Sequence, residues 1–135
     1  GDTAYNVAKE LIKTYPDLKG IMGTSSFDAP GVARAIEELG LTDKFFTSGT
    51  GMPADNAELL KSGILKSLTL WDPAKAGQAM VSLACKVLAG EEIADQADLG
   101  VEGYTEMTFR EGSSTVLEGK GWVTIDADNV DSFGF

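Results

Sequence analysis

The sequence predicts an α/β fold, a parallel sheet with flanking helices, on three observations. A short apolar run, a polar loop and a helix opening near a proline recur three times in the first half of the chain. The repeats are Gly20-Ile21-Met22-Gly23 into Thr24-Ser25-Ser26-Phe27-Asp28-Ala29-Pro30, Phe45-Phe46-Thr47 into Ser48-Gly49-Thr50-Gly51-Met52-Pro53, and Leu68-Thr69-Leu70 into Trp71-Asp72-Pro73. The helical stretches between them are long enough to bring the chain back, so successive strands run parallel. Finally, 135 residues with 43% hydrophobic content suffice for a cored domain.

The first helix carries Ala4, Val7, Ala8, Leu11, Ile12 and Tyr15 at spacings of three and four, a stripe that buries one face, and Pro16 ends it. The second opens around Pro30 with Asp28 as its cap, carries Val32, Ala35, Ile36 and Leu39, and stops at Gly40. A shorter third follows Pro53, with Asp55 or Asn56 near its start and Gly63 after its end. In the fourth, Ala76, Ala79, Met80, Leu83, Ala84, Val87 and Leu88 form an unbroken stripe before Gly90, and its small residues suggest close packing on a sheet. Cys85, the single cysteine, lies in that pattern and reads as a small core residue.

Beyond Gly90 the periodicity changes to a short β-rich tail. Tyr104 to Phe109, Thr115 to Leu117 and Trp122 to Ile125 read as strands between Gly and Ser turns. Asp126 then caps a last helical turn that docks Val130 and Phe133. Three parallel strands are fewer than an open sheet usually has, and the chain opens on a helix. The expectation is therefore an incomplete fold that leaves part of its sheet uncovered.

Charge and composition exclude several function classes. With 21 acidic against 11 basic residues the net charge is −10, which opposes nucleic acid and anionic membrane surfaces. No apolar run is long enough to insert into a membrane, and no basic start precedes a hydrophobic segment. The absence of histidine removes Ser-His-Asp and Cys-His catalysis and the usual zinc sites. No cofactor or metal is expected: Asp126, Asp128 and Asp131 lack the glycine and terminal glutamate of a calcium loop. Ser48-Gly49-Thr50-Gly51 lacks both the GxGxxG spacing and the Gly-Lys-Ser/Thr ending of phosphate loops.

What remains is the carboxyl edge of the sheet, where open α/β folds bind ligands. The three turns that hold Thr24, Gly49 and Trp71 are expected to gather there around a small ligand. Thr24, Ser25, Ser26 and Phe27 offer hydroxyls, backbone donors and one aromatic ring, and equally read as an ordinary turn whose Ser and Asp residues cap backbone groups. Trp71 and Asp72 suit a sugar, the indole stacking on an apolar ring face and the carboxylate accepting from hydroxyls. The same Trp71-Asp72-Pro73 also reads as a helix start with Asp72 as cap. No basic residue lies in any of the three loops to meet a phosphate.

The run Asp2–Ile21, the run Ala29–Ile36, the tripeptide Leu70-Trp71-Asp72 and the ending Gly121–Phe135 resemble the carboxyl-terminal part of periplasmic sugar-binding proteins, the type I solute-binding proteins. The resemblance covers essentially the whole chain and is strongest to the branch with rhamnose-binding proteins and the autoinducer-2 receptor of the Lsr transporter. It implies two α/β lobes joined by hinge strands that close on a sugar or a quorum-sensing furanose and deliver it to an ABC transporter permease. Residues 1–70 would be part of the carboxyl-terminal lobe, and residues 71–135 a hinge crossing, a helix of the amino-terminal lobe and the tail. The amino-terminal portion of the receptor would lie outside this chain, together with the family's ligand-binding lysine, two aspartates and glutamine. The location implied is the periplasm, or the cell exterior by a lipid anchor in a Gram-positive source.

The resemblance also places Thr24 and Ser26 where the autoinducer receptors, which carry Pro and Ala, meet ligand largely through backbone groups. Gly49 falls where ribose binders have an aspartate, which argues against ribose, and Trp71 falls on a cleft position. Two other readings remain: the ligand-sensing domain of a sugar-responsive transcriptional regulator, and a doubly wound enzyme acting on a phosphorylated substrate. The second lacks the basic or histidine residues it needs.

Overall fold

Parallel pairing organises the first half of the chain in the computed structural model, which describes residues 1–135. The strands are β1 (Gly20–Met22), β2 (Phe46–Gly49) and β3 (Leu65–Trp71), separated by helices α2 (Asp28–Glu38) and α3 (Pro53–Lys61) and preceded by α1 (Asp2–Thr14). Gly20, Ile21 and Met22 face Phe46, Thr47 and Ser48, and Thr47 and Gly49 face Leu65 and Leu68 across a register irregularity. A fourth strand, β6 (Trp122–Ile125), completes the order β1-β2-β3-β6, with β1 at an open edge. The tail thus contributes to the main sheet, which the sequence reading had limited to three strands.

Two compact units result, one of Gly1–Leu70 with Thr124–Phe135 and one of Trp71–Val123. In the first, α2 is the central element: Ala29, Val32, Ala33, Ala35 and Ile36 are buried, with Phe45 and Ile64 in the same core. Its small residues let α1 approach closely, where Ala8 is buried. The α1 stripe is only partly covered, since Val7 and Tyr15 remain exposed. A cluster at the helix surfaces joins α1 to α2: Lys9 lies 2.6 Å from Glu38, Arg34 lies 2.8 Å from Asp2, and the Tyr5 hydroxyl donates to Glu38 with the Arg34 guanidinium over its ring. The closing turn, Val130–Ser132, docks on α3 with Val130 buried and Lys61 2.7 Å from Asp131. Asp126 was expected to cap it but does not: its carboxylate accepts from the Asp128 and Asn129 amides in the loop that precedes the turn, and Asn129 stands at the cap position without a side-chain bond to it.

The second unit joins α4 (Pro73–Leu88) to a tail with β4 (Thr108–Phe109) and β5 (Leu117–Glu118), an antiparallel pair shorter than the strands the sequence suggests. Here the expected packing of α4 is corrected. Only Ala79 is buried, against Leu99 and Met107, while Met80, Val87 and Leu88 are exposed. Cys85 is exposed as well, not a core residue. The reason is supply: within this unit a two-stranded pair and loops cover one narrow strip of a helix whose apolar stripe is wider.

The α1–α2 cluster is acid-sensitive. The hydrogen bonds from Lys9 and then Tyr5 hold the Glu38 carboxyl below its ordinary range. A lowered carboxylate stabilises the fold fully above the ordinary range and loses that contribution as pH falls through the lowered one. Urea melts at neutral and acid pH are expected to show less acid-induced loss of stability in Glu38→Gln than in the unmodified protein.

Candidate functional site

Because β1, β2 and β3 are parallel, their carboxyl ends share one sheet edge. Ser48 and Gly49, read from sequence as loop, are the last residues of β2. Ser48 O accepts from Gly23 N–H at 2.9 Å, so the first loop starts as a continuation of the β1–β2 ladder. Gly49 is buried, and a Cβ there would stand 2.9 Å from Gly23 O. The glycine therefore acts through close approach, letting the β1 loop lie directly on β2.

The loop after β1 is held from within. Asp28 was expected to cap α2, but its Oδ2 instead accepts from the Thr24 and Ser25 amides at 3.1 and 3.0 Å. The sequence reading missed this because a carboxylate at a helix start serves either direction, and only the chain path decides which amides it meets. Ser25 Oγ accepts from Phe27 N–H at 3.3 Å. Three backbone donors, the Thr24, Ser25 and Phe27 amides, are thereby engaged within the loop, while Thr24, Ser26 and the Phe27 ring remain exposed. The loop thus turns hydroxyls and an aromatic face outward and keeps its amides at Thr24 and Ser25 inward. Beside it, an apolar groove of about 440 Å³ runs along α1, β1 and α2 past Val7, Leu11, Met22 and Phe27. The loop after β2 is fixed by the buried Asn56, whose Nδ2 donates to Met52 O at 2.9 Å while its Oδ1 has no partner.

In the second unit both readings of the Trp71 segment find geometry. Asp72 Oδ1 caps α4, accepting from the Ala74 and Lys75 amides at 2.8 and 3.2 Å, and Oδ2 carries no protein hydrogen bond. Trp71 is half exposed and stands edge-on to Trp122, with ring centroids 5.5 Å apart and an interplanar angle of 88°. Trp122 was read from sequence only as a strand residue. Its outward place in β6 and its being one of two tryptophans were the signals available. Lys75 and Glu102 pair at 2.5 Å, and that hydrogen bond holds the Glu102 carboxyl below its ordinary range and the Lys75 ammonium above its own. No three His, Cys, Asp or Glu side chains are placed to hold a metal, and no helix is long and apolar enough to cross a membrane.

Comparison with known proteins joins these features to a family. Residues 1–92 match the model of the periplasmic binding protein domain. The chain belongs to that family. Among curated members, the ribose import binding protein RbsB of Salmonella typhimurium is 30% identical over 88 residues, 65% of this chain and 29% of that protein. A crystal structure of a sugar ABC transporter from Actinomyces odontolyticus superimposes with a TM-score of 0.80 at 26% identity, over 99% of this chain and 43% of that one. LsrB of Clostridium saccharobutylicum in complex with AI-2 matches with a TM-score of 0.72 at 18% identity, over 98% of this chain and 44% of that one, a likeness of fold alone.

This member of the periplasmic binding protein family therefore spans about a third of the length of the curated relative it matches. The expected α/β class of this family is what the coordinates show. The curated relative is named for ribose import binding and the solved structure for sugar transport.

Two substitutions examine the rim. Gly49→Ala is expected to cost roughly 1–3 kcal/mol, the range for forcing atoms into a packed site, read from denaturant melts. Asp28→Ala is expected to speed hydrogen exchange at the Thr24 and Ser25 amides while exchange in β3 stays slow.

Proposed function

We propose that this protein recognises a small neutral sugar as part of the binding component of an ABC importer, working with the importer's permease and with an amino-terminal portion of the same receptor. The observation that carries the reading is the rim of the parallel sheet. There the loop from Thr24 to Phe27 presents hydroxyls and an aromatic ring, with no lysine, arginine or histidine among its residues. Such a loop suits hydroxyl groups and offers no positive charge to a phosphate or carboxylate. Sugar-binding relatives support the same class of ligand and favour an importer over a transcriptional regulator.

In this reading Thr24 and Ser26 exchange hydrogen bonds with ligand hydroxyls, Ser25 shapes the loop, and Phe27 covers an apolar face. Gly49 permits the close approach beneath the loop, and Trp71 and Asp72 serve as a stacking surface and an acceptor. Residues 1–70 take the place of a carboxyl-terminal lobe and α4 that of an amino-terminal-lobe helix, which accounts for its bare apolar face. Rhamnose or an AI-2-like furanose is the ligand we propose within the class, since Gly49 leaves no carboxylate where ribose binders have one. The working location is the periplasm, or the outer face of a Gram-positive cell through a lipid anchor.

Calorimetry on the complete gene product with L-rhamnose, AI-2, D-ribose and their phosphorylated counterparts tests this. Micromolar binding of a neutral sugar, absent for the phosphates, is expected, with a matching rise in melting temperature. The 135 residues alone are expected to bind the same sugar more weakly. Failure of every neutral sugar to bind the complete product would overturn the reading.

A further inference from the structure

The second unit holds an aromatic feature that the rim loops do not explain. Trp71 and Trp122, 49% and 61% exposed, are the chain's only tryptophans, and they meet edge to face. Leaving two indoles this open to water gives up burial that large aromatic side chains normally obtain. Between them and the Tyr104 ring lies a depression of about 180 Å³ floored by Gly119 and Gly121. The floor requires glycine: a Cβ on Gly121 would stand 2.6 Å from Tyr104 Cζ and 2.9 Å from its Cε2, so any side chain would displace the ring.

On its other side Trp122 borders a polar depression of about 160 Å³, shared with Asp72, Lys75, Glu102 and Lys120. The cations there are already matched, Lys75 to Glu102 at 2.5 Å and Lys120 to Glu106 at 2.9 Å. The unmatched acceptor is Asp72 Oδ2, since Oδ1 is spent on the helix cap. A perpendicular indole pair beside a free carboxylate oxygen and neutralised lysines suits a ring with one apolar face and a hydroxyl-bearing edge. A phosphate would meet lysines already paired with Glu102 and Glu106 and the like charge of Asp72, and an extended hydrocarbon would leave that carboxylate unmet.

From this juxtaposition we infer that Trp122 is a ligand-binding, specificity-determining residue, forming with Trp71 an aromatic corner that takes the ring of a neutral monosaccharide while Asp72 accepts from its hydroxyls. The inference rests on the sugar-binding function proposed above and adds a residue and a unit that the rim loops do not include. It explains why both indoles stay uncovered within their unit and why Gly121 precedes Trp122.

The test uses Trp122→Ala and Trp122→Phe in the complete gene product, with calorimetry against whichever neutral sugar binds the unmodified protein. Trp122→Ala is expected to weaken binding about tenfold, the order for losing one well-stacked aromatic, and Trp122→Phe to restore most of it, with melting temperatures of both near the original. Unchanged affinity in Trp122→Ala would overturn the inference and leave the proposed function standing. If no neutral sugar binds the unmodified product, both fall before any variant is made.

Discussion

Everything proposed for this molecule depends on parallel hydrogen bonding between β1, β2 and β3. Had any of these strands run antiparallel, its following loop would leave at the opposite edge. The parallel sense follows from the helices that separate the strands, since each returns the chain to the starting edge before the next strand begins. Close approach then sets the detail. Gly49 lets the first loop rest on β2, the Ser48 carbonyl holds Gly23, and Asp28 ties the amides of Thr24 and Ser25. The loop that results is pre-organised before any ligand arrives, which lowers the entropic cost of binding.

Much of the fold was legible because periodicity and turn chemistry agree with it. The three strand-to-helix units, the stop at Gly40, the turn at Gly63 and the closing turn Val130–Ser132 all lie where local pattern puts them. What local pattern misjudged was burial. The α4 stripe is as regular as any in the chain, yet Met80, Val87 and Leu88 are bare, because periodicity says which residues share a face and not whether anything covers it. Cys85 misled for the same reason. Trp122–Ile125 was recognisable as a strand, but its place beside β3 is a long-range pairing that no local signal encodes.

The candidate site divides along similar lines. Hydroxyls at Thr24 and Ser26 and the lack of cations in the loops are properties of composition and were readable at once. The role of Asp28 was not, because the same carboxylate can serve the helix behind it or the loop before it. Asp72 shows that one residue can satisfy two readings, with one oxygen committed to the α4 cap and the other open. The Trp71–Trp122 pair joins residues far apart in sequence, and neither position announces its neighbour. Membership of the periplasmic binding protein family accounts for the architecture without choosing among sugars.

In the proposed function a neutral sugar is met by the loop at the carboxyl edge of the parallel sheet. A two-dimensional amide NMR titration of the isotope-labelled protein with a neutral sugar that binds tests it most directly. Shifts concentrated at Thr24–Phe27 and at the ends of β1 and β2, with α1 and α3 unmoved, are expected. Shifts confined to the open edge of β1 or to the bare face of α4, with the rim silent, would contradict it.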